Sequence, residues 1–217
     1  MDILIVDDHP MTTDGYKSAI IKAFNIENTV FHVSHDCESA YENIMDRASS
    51  KMVFNLAIID HSLPAYKEQK ISSGCDLALF LKKTMPNCKI MMITAHTEVI
   101  IVYNIYKRLS PDALIIKNDI TPYNLADTIL EIMQGKQYQS QTVKNCIAEI
   151  WKKDLMVEDF NRQILFYLTK GYKVKELENV ISLAASTIQK RIINMKKAFA
   201  VTDDSSLIKE AIKQGFI

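Results

Sequence analysis

A chain of 217 residues with 48% hydrophobic residues and only five glycines and five prolines has material for one large or two small cores. That excludes a disordered or fibrous protein, and two domains are the natural expectation. The formal net charge of zero conceals an asymmetry: residues 1–151 carry 14 basic and 18 acidic side chains, net −4, and residues 152–217 carry 12 and 8, net +4. Such a split suits a cation-binding module followed by a nucleic-acid reader.

No apolar run approaches the roughly 18 residues of a membrane span. The opening MDILIVDDHP lacks the basic stretch and cleavage site of a secretory signal, so no membrane partner and a cytoplasmic location are expected. Cys37, Cys75, Cys88 and Cys146 stand far apart with no CxxC pair and no histidine at zinc-ligand spacing, which reads as four free thiols.

In chain order, residues 1–134 alternate short apolar runs with longer amphipathic stretches, the pattern of βα units in a parallel sheet. Strands are predicted at Ile3–Val6, Thr29–Ser34, Phe54–Ile59, Lys89–Ile93 and Ala113–Ile116. Helices are predicted over Thr12–Phe24, Glu38–Ala48, Cys75–Met85, Glu98–Leu109 and Pro122–Gln134, the last opened by Thr121 as N-cap with Pro122 at the first helical position. Leu56-Ala57-Ile58-Ile59 is apolar on both faces, as a strand covered by helices on each side must be. The result is an α/β domain, a (βα)5 doubly wound parallel sheet over 1–134.

The Gln-rich stretch 135–156 reads as a linker, with a mixed helical segment near Val143–Trp151. Beyond it, 157–217 holds only helical patterns, at Glu158–Lys170, Lys173–Val180, Ala184–Phe199 and Ser205–Gln214, with Gly171 a C-cap of the first. This is a small all-α domain. Ile164, Leu165, Leu168, Leu177, Leu183, Ile188, Ile192 and Met195 recur at helical spacing as its core.

Ligands of open parallel sheets sit at the carboxyl ends of the strands. There stand Asp7 and Asp8 after the first strand, Asp60 after the third, Thr94 after the fourth and Lys117 after the fifth. Three converging carboxylates repel one another unless they share a hard cation such as Mg2+. With a cation and Lys117 neutralising a phosphoryl group, and the Thr94 hydroxyl donating to it, one carboxylate can serve as nucleophile. Asp60, at the tip of a wholly apolar strand, is the best placed.

With Pro64 four residues beyond Asp60 and the small Ala95 after Thr94, these residues resemble the response-regulator receiver family over about 1–134. The resemblance implies that Asp60 accepts phosphate, and that Asp8, Asp60 and the backbone carbonyl of Ser62 hold Mg2+ with help from Asp7. It also implies that Thr94 and Lys117 sense the phosphoryl group, and that Ser62 and His96 occupy positions that vary in the family. Three departures stand out. Leu114 replaces the family's usual aromatic switch residue, Asn118 follows Lys117, and the segment Ala65–Ser73, with Lys67, Glu68 and Lys70, forms a lengthened excursion.

In the C-terminal part, a short helix, the connection Ile181-Ser182-Leu183 and a second helix with polar and basic side chains fit a helix-turn-helix. Ser186, Gln189, Lys190, Arg191, Asn194 and Lys197 are the candidate DNA contacts of that recognition helix. Over about 157–217 the chain resembles the LuxR-type domain that follows receivers in the NarL/FixJ class, with Gln163, Ala184, Gln189 and Arg191 departing from its usual residues.

The expectation is therefore a two-component response regulator: a sensor histidine kinase phosphorylates Asp60, which controls homodimerisation and binding to double-stranded DNA. It is not a turnover enzyme, because no carboxylate stands two residues past Asp60 to protonate a leaving group. The alternative is a phosphorylation-independent DNA-binding regulator whose receiver serves as a dimerisation or partner module.

Overall fold

A computed structural model describes residues 1–24, 29–213 and 216–217, apart from the side chains of 150–154 and 156–157. Gln214, the predicted end of the last helix, lies outside the described residues, as does the side chain of Trp151. The chain divides into two compact units, Met1–Cys146 and Ile147–Ile217.

In the first unit, β1 (Asp2–Val6), β2 (Val30–Ser34), β3 (Leu56–Asp60), β4 (Lys89–Thr94), β5 (Ala113–Ile116) and β6 (Tyr138–Gln139) form a sheet of order β2-β1-β3-β4-β5-β6. Every pairing is parallel. The sheet is flanked by α1 (Pro10–Phe24), α2 (Cys37–Ser49), α3 (Gly74–Thr84), α4 (Val99–Leu109) and α5 (Pro122–Met133). Strand alternation sorts the apolar side chains onto two faces. Ile3, Ile5, Leu56, Ile58, Met91, Ile93 and Ile115 pack with Tyr16 and Ile20 of α1 and with Leu125, Ile129 and Ile132 of α5. The intervening residues, among them Leu4, Val6, Ala57, Ile59, Met92 and Leu114, are equally buried on the other face.

Five of the six strands match the sequence expectation to within two residues at each end; β6 does not. Tyr138 N donates to Asp112 O at 2.9 Å and Ser140 N to Leu114 O at 3.1 Å, so the exposed edge of β5 is covered by a short parallel strand. The predicted linker over 135–156 is thereby corrected at its start: residues 135–146 belong to the first unit. Polar composition concealed this, because an edge ladder is made by backbone groups that any residue supplies. The rest of the interval lies in one helix, α6 (Gln141–Val157).

The second unit comprises α7 (Asp159–Thr169), a 3-10 segment (Val174–Asn179), α8 (Ala185–Phe199) and α9 (Asp204–Lys213). Its core contains seven of the eight expected residues, with Leu183 partly buried against it, and adds Ile181, Phe199, Leu207 and Ala211. The helix predicted over Lys173–Val180 is instead a 3-10 turn. Val174 and Leu177 are its inward side chains, and their spacing of three matches a turn of three residues rather than 3.6. Gly171 closes α7 at φ +89°, a backbone region that glycine enters without penalty. No helix among the described residues is long and apolar enough to cross a membrane.

Candidate functional site

The carboxyl rim of the sheet gathers Asp7 just past β1, Asp60 at the end of β3, Thr94 at the end of β4 and Lys117 just past β5. Asp7, Asp60 and Thr94 are buried, at 1%, 3% and 0% exposure. Lys117 Nζ donates to Asp7 Oδ2 at 3.0 Å and lies 3.3 Å from Asp60 Oδ1. That Asp60 oxygen touches the ammonium by charge yet accepts no hydrogen bond of sound geometry, which leaves a buried, anionic, incompletely satisfied acceptor.

Burial pushes the Asp60 carboxyl above its ordinary pKa; Lys117 opposes the rise, and Asp7 and Asp8 add to it. Burial alone would depress the Lys117 ammonium, but the carboxylates of Asp7 and Asp60 outweigh it and hold the group above its usual value. Tyr16, on α1, is raised as well, by burial and then by the charges of Asp7 and Asp60. Three carboxylates thus face one ammonium at this rim.

Asp8, less buried than Asp7, lies with its Oδ1 2.7 Å from His9 Nδ1. His9 N donates to Asp7 Oδ1 at 3.0 Å, and ligand atoms of Asp7, Asp8 and His9 lie within 4.8 Å of one another. His35 Nδ1 sits 2.8 Å from the Asp7 carbonyl oxygen. Ser62 is exposed, and its hydroxyl lies 3.2 Å from His96 Nε2, whose other ring nitrogen is 3.1 Å from Glu98 Oε2. His61 packs edge-on against His96 with ring centroids 5.6 Å apart. Thr94 Oγ1 accepts from His96 N at 3.1 Å, so the threonine hydroxyl shapes the β4–α4 loop.

Two residues that hold the site escape sequence reasoning. Gly74 opens α3 with its N–H donating to His61 O at 3.0 Å. A Cβ there would stand 1.8 Å from the carbonyl oxygen of Asp60, so α3 approaches the Asp60 backbone only because the residue is glycine. His9 is the other: its backbone and ring both address the acidic pair. Its only signal was adjacency to Asp8. The excursion after Asp60 carries its charges outward as expected, but it is anchored by a Tyr66–Ile71 bridge and by Tyr66 packing on Tyr41 at 5.6 Å.

In the second unit, α8 exposes Ser186, Gln189, Lys190, Asn194 and Lys197. Arg191 does not join that set. Its Nη1 lies 2.6 Å from Glu158 Oε1 and donates to Asn161 Oδ1 at 3.1 Å, and its guanidinium stacks 5.6 Å from the Phe160 ring centroid. Its position is one helical step off the free face and turned toward α7, a distinction of rotation that residue type does not carry. Ala184 makes no side-chain cap to α8, as its chemistry dictates.

A buried strand-end aspartate, an acidic pair and a lysine lie on the rim of a parallel sheet flanked by five helices, and a small all-helical unit follows. No protein-family model matches the chain. Its similarity is instead to whole transcriptional response regulators: MctR of Rhizobium johnstonii is 19% identical, with 99% of this chain and 94% of that protein covered. RcsB of Salmonella typhimurium is 20% identical, covering 96% and 92%. Among solved structures, an RcsB response regulator from Salmonella typhimurium superimposes with a TM-score of 0.59 at 20% identity over 97% of each chain. An RcsB–DNA complex gives 0.55 at 21% identity over 96% of each.

Proposed function

We propose that this chain is a phosphorylation-controlled, DNA-binding transcription regulator whose phosphoacceptor is Asp60. The observation that carries the reading is the buried Asp60 carboxylate, with one oxygen lacking a hydrogen bond beside Lys117 and the Asp7–Asp8 pair. The phosphodonor is a sensor histidine kinase: an Asp60 oxygen forms the new O–P bond, the P–N bond to the donor imidazole breaks, and that imidazole leaves with a proton. Lys117 then turns from Asp7 toward the phosphoryl oxygens, and the Thr94 hydroxyl becomes their donor. Ser62 stands two residues past Asp60, where a carboxylate could serve a leaving group or activate a water, which favours a slowly decaying aspartyl phosphate over multiple turnover.

The donor set suits Mg2+: hard carboxylate oxygens from Asp7, Asp8 and Asp60, with the Ser62 carbonyl two residues past Asp60. When bound, the ion would neutralise charge gathering on the phosphoryl oxygens. The domain reading is a phosphoacceptor domain through Cys146 and a DNA-binding domain from about 157, acting in the cytoplasm as a homodimer on double-stranded DNA. The likeness to an RcsB–DNA complex, and to RcsB bound to the promoter rprA in the presence of the phosphomimetic BeF3−, supports the DNA-binding part of this reading. Exposed Ser186, Gln189, Lys190, Asn194 and Lys197 would meet the DNA.

The test is affinity for DNA selected from a random pool, with and without Mg2+ and beryllofluoride, for wild type and Asp60→Asn. A gain confined to the wild type is expected. Equal affinity in all four conditions would favour the phosphorylation-independent alternative, toward which the wholly buried Leu114 at the usual aromatic switch position points.

A further inference from the structure

The two loops that follow Thr94 and Lys117 are both fastened to the beginning of α6. Asp119, two residues past Lys117, accepts from Thr142 N at 3.1 Å and from Thr142 Oγ1 at 3.0 Å. Three residues past Thr94, the Thr97 carbonyl accepts a long contact from Cys146 Sγ at 3.7 Å. Between them, Ser140 Oγ accepts from Ile116 N at 3.3 Å, and Val143 and Cys146 are buried against the unit.

Each contact has a physical role. The first N–H groups of a helix lack intrahelical partners and favour negative charge. Here the N2 amide of α6 is met by a carboxylate from a different segment. Burial alone would raise the Asp119 carboxyl, but hydrogen bonds from Ser140 and Thr142 hold it below its usual range. Lys117 and Asp119 are the first and last residues of a single 3-10 turn (Lys117–Asp119), so the backbone that moves one moves the other. α6 then continues unbroken past Cys146, where the second unit begins.

We propose that Asp119 and Thr142 form the joint that relays occupation of Asp60 to α6, a role for which the buried Leu114 offers no aromatic swing. The inference rests on the reading of Asp60 as phosphoacceptor. A group bound at Asp60 draws Lys117 from Asp7, the 3-10 turn shifts with it, and the carboxylate of Asp119 carries that shift to the first turn of α6. By linkage, whatever holds α6 in place also biases occupation of Asp60.

The test uses the full chain with Mg2+ and beryllofluoride. Fluorine NMR reports beryllofluoride bound to the protein, and hydrogen exchange reports the amides of residues 141–147. In the wild type, bound beryllofluoride is expected to change that exchange by about fivefold, the low end of a useful coupling. Loss of a cap by itself raises exchange in both states, so the ratio between states is the readout. Asp119→Ala and Thr142→Val are expected to keep the bound fluorine resonance with a ratio near one, and Thr142→Ser to restore the response. Variants that bind beryllofluoride and respond as the wild type does would overturn the joint, as would a wild type that binds without any change at 141–147. A wild type that binds no beryllofluoride would overturn the phosphoacceptor reading and the joint with it.

Discussion

Arg191 Nη1 stands 2.6 Å from Glu158 Oε1 and also donates to Asn161, a side chain with no exposure of its own. The ion pair itself contributes little, because Glu158 is nearly half exposed and solvent screens it. The hydrogen bond to buried Asn161 matters more, since removing the donor leaves a desolvated acceptor. Arg191→Ala is expected to destabilise the second unit by about 1–3 kcal/mol, and Lys190→Ala by less than about 0.5 kcal/mol. Urea unfolding of both variants checks this; equal stability would return Arg191 to the surface set.

The pKa of Asp60 sets the sign of a second expectation. Burial, and then Asp7 and Asp8 against the opposing Lys117, raise its folded pKa above the unfolded value. The folded chain therefore binds the proton more tightly, so this group lowers stability as pH rises through the unfolded pKa toward the folded one. Above the folded pKa the full penalty is present. In chelator at neutral pH, Asp60→Asn should exceed wild type by about 1 kcal/mol, the scale of one relieved buried acceptor. The gap should close on acidification. Mg2+ at ten times its Kd should stabilise wild type by about 1.4 kcal/mol and Asp60→Asn far less. Thermal melts across pH, with and without Mg2+, would contradict this if Asp60→Asn were the less stable at neutral pH.

Gly74 and Gly15 form an internal contrast. A Cβ at Gly74 would stand 1.8 Å from the Asp60 carbonyl oxygen, and one at Gly15 meets nothing within 4 Å. Gly74→Ala must push α3 off β3 and should cost about 1–3 kcal/mol or more. It should also weaken beryllofluoride uptake, because the strained peptide is that of Asp60 itself. Gly15→Ala, inside α1, should stabilise by about 0.5–1 kcal/mol through helix propensity. Chemical denaturation of the pair would refute the steric account if both moved in the same direction.

The rim was legible because chemistry and period coincide there. Four of the five apolar runs lead into Asp7, Asp60, Thr94 or Lys117, and a parallel sheet brings all such ends to one edge. Thr121 and Pro122 mark α5 because their side chains act locally, and the observed capping box of Thr121 with Asn124 follows. What escaped depends on approach between distant segments. β6 is backbone pairing, Gly74 is a contact with another strand, and Asp119 caps a helix 23 residues away. The rotation that separates Arg191 from Lys190 is equally unreadable, because both are basic and adjacent on α8.

The exposed face of α8 allows the DNA reading to be divided by chemistry. Lys190 and Lys197 are exposed basic side chains on it, whereas Gln189 and Asn194 carry paired donor and acceptor groups. A lysine that neutralises one phosphate contributes about 0.9 to the slope of log affinity against log salt. Lys190→Ala and Lys197→Ala should each lower the slope by roughly that amount and weaken all sequences alike. Gln189→Ala and Asn194→Ala should leave the slope unchanged and relax preference at one position by about 1–3 kcal/mol. Salt titrations against selected and scrambled duplexes separate the two classes. If neither lysine variant changed the slope, the phosphate-facing surface would have to be sought elsewhere on the second unit, even if DNA binding itself persisted.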